Sequence, residues 1–420
     1  MGVTEPAGDR VVVTGLGPVS SIGTGADLFL AGLRTGSSGA APITSFDTTG
    51  FDHDIGCEVP DFEPVRWIQR LDPADLGRAS QFAVAAAGLA VADAGLSGAR
   101  LRDRRGLVAV GTTDGESRDL DGLVAQELAA GPGSWDPVVA GRVHAGRLST
   151  SVARELGLSD VEAVTIATAC AAGNYAIGYA YDVLRAGDAD YALCGGADAQ
   201  CRKTFAGFYR LGAMAPQMCQ PFDRYRKGML AGEGAGILLL ERLDAARARG
   251  ARILAEVLGY GLTCDADHPV APNEDSVARC MRIALDNAGV KPDQVDLISA
   301  HGTATKANDV AEARAIRRVF GDHPPRTVGL KSMLGHTLGA ASALAAVGCV
   351  LALADGFAPP TINHHETDPE CGLDCVPNRA VAADLRIVQN NALAFGGNNA
   401  VVLLARYTAV GDGQPGAEGP

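Results

Sequence analysis

Two rhythms of apolar residues alternate along this chain. Short runs such as Gly106-Leu107-Val108-Ala109-Val110 and Val295-Asp296-Leu297-Ile298-Ser299-Ala300 predict strands, and the longer runs 80–94 and 276–288 predict helices. Strands alternating with helices imply mostly parallel sheets covered by helices, an α/β class of fold. The parts also come twice in one order. In the first half a helix ends at Ala94-Gly95-Leu96 and a strand then reaches Gly111-Thr112. In the second a helix ends at Ala288-Gly289-Val290 and a strand reaches His301-Gly302-Thr303. Downstream, Cys170-Ala171-Ala172-Gly173 and His336-Thr337-Leu338-Gly339 each follow a strand and open a small-residue helix, which gives Cys170 and His336 equivalent places. The run 10–17 likewise corresponds to 253–260, so the halves divide near 247–251, as residues 1–250 and 251–410. Packed face to face, two such halves bring their strand-end loops, with Cys170, His301 and His336, toward one crevice. Residues 411–420, rich in Gly, Pro and acid, are expected to be disordered.

Composition narrows the classes. At 420 residues the chain exceeds what one hydrophobic core supports, and 47% hydrophobic with 20% charged residues is ordinary for a soluble globular protein. A formal net charge of −13 argues against wholesale binding to nucleic acid or an anionic membrane. Ten cysteines scattered without a repeating framework fit thiols in a reducing cytoplasm. The first nine residues have neither a basic n-region nor an apolar h-region, so no export signal is expected. The uncharged stretch 337–354 is interrupted by Gly339, Ser342 and Gly348 and predicts a buried core helix in preference to a membrane span. His364, His365, Cys371 and Cys375 have the residue types for zinc, but their spacing fits no compact finger and no metal site is expected.

Cys170 is the most pointed chemical candidate. It closes the apolar run Val161-Glu162-Ala163-Val164-Thr165-Ile166-Ala167-Thr168-Ala169, and a buried strand that turns sharply into a helix at a thiol presents a nucleophile. The positive end of the following helix would stabilise the thiolate by up to ~2 kcal/mol and lower the thiol pKa. A structural role stands beside this reading, since free cysteine is among the most buried residue types.

Five motifs in register sharpen the choice: Thr168-Ala169-Cys170-Ala171-Ala172-Gly173-Asn174, Pro221-Phe222-Asp223 with Gly232-Glu233-Gly234-Ala235-Gly236, Ala300-His301-Gly302-Thr303-Ala304-Thr305-Lys306-Ala307-Asn308-Asp309, Gly329-Leu330-Lys331-Ser332-Met333-Leu334-Gly335-His336, and Asn391-Ala392-Leu393-Ala394-Phe395-Gly396-Gly397-Asn398-Asn399-Ala400. Over residues 10 to about 408 the chain resembles a beta-ketoacyl-acyl carrier protein synthase of the thiolase superfamily. The resemblance implies a thiolase-like fold of two pseudo-duplicated halves, layered α-β-α-β-α. It also implies decarboxylative Claisen condensation of an acyl chain, carried on Cys170, with malonyl-acyl carrier protein. On that resemblance Cys170 and Phe395 supply oxyanion-hole N–H groups, His301 and His336 hold the enolate, and Lys331 sets the electrostatics. Thr303 and Thr305 hold the phosphopantetheine arm, and Phe395 gates the acyl pocket. No cofactor is implied, because the 4'-phosphopantetheine arm arrives on the acyl carrier protein.

Departures from the family pattern bear on the pathway. Ala394 stands where a glycine is expected, and Lys227 where many members carry an acid. Asp114 occupies a position near the acyl pocket and dimer seam that fatty-acid members fill with an apolar side chain, and a carboxylate there is costly unless paired. This favours a ketosynthase of type II polyketide assembly, with a housekeeping fatty-acid elongating synthase as the alternative. A non-catalytic chain-length-factor partner is a second alternative, opposed by the presence of Cys170. The implied partners are an acyl carrier protein and either a second copy or a chain-length factor. Arg66, Arg70, Arg202, Lys203 and Arg210 are candidates for docking the acidic carrier.

Overall fold

The computed structural model describes residues 10–408, so the expectations for the first nine residues and for 411–420 lie outside the described residues. Ten strands carry the architecture. The first five are β1 (Val11–Ser20), β2 (Gly106–Gly111), β3 (Val161–Ile166), β4 (Tyr191–Asp198) and β5 (Gly234–Arg242). The last five are β6 (Ala255–Cys264), β7 (Leu297–Ser299), β8 (Arg326–Val328), β9 (Ile387–Leu393) and β10 (Asn398–Ala405). Within the first five the spatial order is β1-β5-β4-β2-β3, and within the last five β6-β10-β9-β7-β8, which is the same path. The two sets meet where β1 and β6 pair antiparallel over only three residues, Val11 to Val13 against Val257 to Ala255.

The sheets are mixed, where mostly parallel ones were expected. β2 pairs parallel with β3 and β4, and β7 with β8 and β9, but β5 and β10 run antiparallel to both their neighbours. The reason is where the connections lie. β4 ends at Asp198 and β5 begins opposite it at Gly234, so the intervening excursion returns the chain to the sheet end it left, and β5 must run back. In the second set the same return is a tight hairpin, Leu393 opposite Asn399.

Period-two alternation decides what each strand face touches. Leu107 and Ala109 of β2, Leu238 and Leu240 of β5 and Val402 and Leu404 of β10 face one central cluster, shared with Ile177 and Leu184 of α2 (Ala172–Arg185) and Leu344, Val347 and Val350 of α6 (Ala341–Asp355). The opposite faces, Val108, Val110, Leu193 and Leu239, pack under Phe82 and Ala86 of α1 (Arg78–Asp93). Ile298, Val401 and Leu403 pack under Met281 and Leu285 of α4 (Glu274–Ala288) and Ile316 of α5 (Lys306–Phe320). The layers therefore run α-β-α-β-α, with α2 and α6 between the sheets. The apolar segment Leu338–Asp355, long enough to cross a membrane, is 89% buried inside the protein, as a core helix should be.

Small residues let the central helices close on the sheet. A Cβ on Gly173 would fall 2.7 Å from the backbone nitrogen of Ala343, and one on Gly196 2.3 Å from the Gly339 carbonyl oxygen. The N-terminal ends of α2 and α6 thus lie against each other at the strand ends. A buried amide network locks them: Asn174 Nδ2 donates to the carbonyls of Asn390 and Ala400, and Asn390 Nδ2 donates to Asn174 Oδ1 and to the Ser342 carbonyl.

Candidate active site

α2 and α6 are each entered through a 3₁₀ turn, Ala169–Ala171 and Leu338–Ala340. Ala169 and Leu338 open these turns with φ of +49° and +56°, strain of about 1–3 kcal/mol each that the surrounding packing must hold. The residue matching Cys170 is therefore Gly339. His336 lies three residues earlier, opposite Ala167, which corrects the one-to-one equivalence of Cys170 with His336. The offset comes from chain geometry: glycine at 339 admits the Asp198 carboxylate, which accepts a 2.6 Å hydrogen bond from its N–H. The same carboxylate takes Thr112 Oγ1 at 2.6 Å and the N–H groups of Thr113 and Asp114, and burial pushes its pKa up to about 7.

Cys170, His301 and His336 line one cavity of about 240 Å³, with Thr303, Thr305 and Phe395 in the same wall. The two imidazole centroids are 5.5 Å apart and the rings nearly perpendicular, at 81°. Burial, then the Lys331 charge, holds both histidines well below their ordinary pKa, with His336 lowering His301 further, so each ring is neutral at neutral pH. The Leu338 N–H donates to His336 Nδ1 at 3.1 Å, which places that ring's proton on Nε2. Lys331 Nζ is 3.3 Å from His301 Nδ1 and also donates to the His301 carbonyl. With Nδ1 facing an ammonium donor, His301 too carries its proton on Nε2. Burial lowers the pKa of Lys331 itself.

Cys170 differs from expectation in its electrostatics. Burial pushes its thiol up to about 12, with Lys331 pulling it down and Asp198 adding to the rise. The expected lowering by the helix end is outweighed because the sulfur is almost wholly removed from water, 4% exposed. The backbone N–H groups of Phe395 and of Cys170 itself point at the sulfur and favour the thiolate. Phe395 sits in the β9–β10 hairpin, where Gly396 and Gly397 adopt φ of +88° and +83°, and its ring packs 5.4 Å from Phe208 of α3 (Arg202–Arg210). Thr303 and Thr305 join their hydroxyls at 2.9 Å.

Residues 8–246 match the beta-ketoacyl synthase N-terminal domain and residues 254–365 the beta-ketoacyl synthase C-terminal domain. The chain belongs to the beta-ketoacyl synthase family. A relative from Synechocystis, 3-oxoacyl-(acyl-carrier-protein) synthase 2, is 38% identical over 95% of this chain and 98% of its own. Nodulation protein E of Rhizobium leguminosarum bv. trifolii is 40% identical over 94% and 98%. Among solved structures, the ishigamide ketosynthase/chain length factor superposes with a TM-score of 0.94 at 63% identity, covering 95% of this chain and 99% of that one. AntDE:AntF, a type II polyketide acyl carrier protein in complex with its ketosynthase, gives 0.87 at 31% identity over 95% and 99%. The synthase is thus a condensing acyltransferase on the thiolase-like fold.

Asp114 of this synthase lines neither the main cavity nor the smaller one behind it. Its carboxylate turns instead to α3, bonding Lys203 Nζ at 2.7 Å and the Thr204 hydroxyl, so it is a paired group one layer behind the pocket wall. Lys203 is accordingly committed to Asp114 and Ser117, Arg66 pairs with Glu63, and Arg202 lies over the Phe51 ring; Arg70 and Arg210 are exposed.

Two buried acids support these loops: Asp309, which closes the motif that begins at Ala300, and Glu312, which no motif includes. Glu312 accepts the N–H groups of His301 and Gly302 at 2.8 and 2.9 Å and is tied to Asn391, while Asp309 accepts those of Ala304 and Phe222. Both are fully buried on α5. Their signal was present: Asp309, Glu312, Ala313 and Ile316 share the inward stripe of that helix, so two acids occupy core positions. Lys306, at the start of α5, stands exposed in the cavity wall beside Thr305.

Proposed function

We propose that this synthase joins an acyl chain held on Cys170 to malonyl-acyl carrier protein by decarboxylative Claisen condensation, in type II polyketide assembly. The single observation that carries the reading is one cavity faced by a sulfur and two neutral imidazoles. In the first step Cys170 Sγ attacks the carrier thioester, the N–H groups of Cys170 and Phe395 hold the oxyanion, and the pantetheine thiol leaves with the cysteine proton. Lys331 offsets part of the cost of forming the thiolate in a dry site. In the second, the malonyl C–C bond breaks, carbon dioxide departs, and its electron pair becomes an enolate whose oxygen takes hydrogen bonds from the Nε2–H groups of His301 and His336. A neutral ring suffices for this task, since with Nδ1 turned to Leu338 N–H or Lys331 its one proton sits on the Nε2 that faces the enolate. The enolate carbon then attacks the Cys170 thioester, the carbon–sulfur bond breaks, and the freed sulfur takes from solvent the one proton the overall condensation consumes.

Thr303 and Thr305, in the cavity wall, suit the polar phosphopantetheine arm, and Lys306 beside them suits an acidic carrier surface. The polyketide assignment rests on the 63% identity to the ishigamide ketosynthase/chain length factor. By that likeness the partner chain is a chain-length factor, and the likeness to AntDE:AntF makes the acyl donor an acyl carrier protein; scattered cysteines without a repeating framework suit a cytoplasmic setting. Purified with and without a chain-length-factor chain, the protein is expected to extend unsaturated carrier-bound chains faster than saturated ones. Equal or better use of long saturated chains would favour fatty-acid elongation instead.

A further inference from the structure

Phe208, Met229 and His336 line two cavities at once: the one that holds Cys170 and a smaller one behind it. The smaller cavity has room, about 10 Å³, for roughly one water-sized group. Gln200, Cys201, Thr204 and Phe205 complete much of its wall. Gln200 is 2% exposed, and neither its amide nitrogen nor its amide oxygen has a hydrogen-bond partner among the described residues. The amide lies against Gly56, where a Cβ would come within 2.9 Å of Nε2, so the backbone there is shaped to admit it. Apart from the His336 Nε2–H, which the condensation uses, the other side-chain polar groups of the wall are engaged. Thr204 Oγ1 serves Asp114 and Cys201, and His336 Nδ1 serves the Leu338 N–H. A buried carboxamide with both ends free is destabilising for the empty protein, and beside a cavity where Thr204 and Cys201 are already bonded it calls for a ligand group that can donate and accept at once.

We propose that Gln200 is a specificity residue for an acyl chain bearing a hydroxyl near its distal end. The inference rests on the reading that Cys170 carries the acyl chain. The hydroxyl seats in the small cavity, accepting from Nε2 and donating to Oε1. A methyl terminus satisfies neither group and a carbonyl satisfies only Nε2, so the hydroxyl is the fitting chemistry. Entry is past Phe208, whose ring is 6.4 Å from that of His336.

The test uses the full-length protein co-purified with a chain-length-factor chain, and carrier proteins loaded with saturated acyl chains matched in length, with and without a hydroxyl one carbon from the end. Transfer to Cys170 is followed by intact-mass spectrometry. The wild type is expected to take the hydroxylated chain at least about tenfold faster at one chain length. Gln200→Leu is expected to erase that preference while raising the melting temperature, because it removes two unpaired polar atoms. Equal rates at every length in the wild type overturn the proposal, as does a preference that survives in Gln200→Leu. So does a crystal structure of the acylated protein with an ordered water on both amide atoms and the chain ending elsewhere. Should Gln200→Leu not fold, the wild-type comparison decides alone. Product formation by the wild type from an unsubstituted acyl-carrier and malonyl-carrier reads the condensing chemistry separately: its absence at every chain length would sink the condensing reading, whereas its presence with no hydroxyl preference sinks this inference only.

Discussion

The first five strands and the last five follow one path in space, yet they bring different chemistry to the cavity. The first set delivers a sulfur at the mouth of a central helix; the second delivers two imidazoles and the ammonium beside them. The contrast is sharpest where the antiparallel return is made. Between β9 and β10 it is a glycine hairpin that aims the Phe395 N–H at the sulfur, and between β4 and β5 it is a long excursion that supplies Gln200 and Phe208 to the acyl side. Identical scaffolds therefore leave function to the loops, and the two half-reactions should separate by mutation along the same line.

Removing Cys170 should break that symmetry most severely. Cys170→Ala is expected to lower condensation by on the order of 10⁴-fold or more while malonyl-carrier decarboxylation continues, because the imidazoles stand on the other set of loops. Radiolabelled carbon dioxide release against product formation reads both, and decarboxylation lost in parallel with condensation would argue against divided labour. Conversely, His301→Ala or His336→Ala should cut decarboxylation about 10²- to 10³-fold and leave acyl transfer to Cys170 within a few-fold. Glu312→Ala acts on the support of the second set. It orphans the buried N–H groups of His301 and Gly302, at about 1–3 kcal/mol for each group, which chemical denaturation should register, and Glu312→Gln should recover part of the loss. The smallest effect is on pH dependence. Both imidazoles are held below the ordinary 6.5, so the decarboxylation rate should show no protonation step near that value, and its acid limb should lie lower. A step at 6.5 that disappears in either histidine variant would show that ring to be solvated.

Much of this contrast was legible in the residues themselves. Ala94-Gly95 and Ala288-Gly289 do end matching helices, at Asp93 and Ala288, and the cysteine and both histidines do meet in one cavity. What escaped was whatever depends on residues far apart in the chain. Asp114 finds Lys203 eighty-nine positions away, and no local pattern announces that pairing. The antiparallel return of β5 depends on which sheet end the excursion rejoins. The thiol's acidity was misjudged because a helix terminus is visible in sequence and the depth of burial is not. Glu312 is readable in principle, as an acid on a stripe that should be apolar, but polar helix positions usually face water, so its burial has no strong local signal.

The lowered acidity of Cys170 has a consequence for an idle protein. Peroxides and electrophiles consume thiolates, and a sulfur that remains protonated in a dry recess offers them almost none. The chemical wakefulness needed for turnover is withheld until a thioester arrives among the N–H groups around it, so between cycles the reactive centre ages slowly, protected by the same enclosure that makes it hard to ionise.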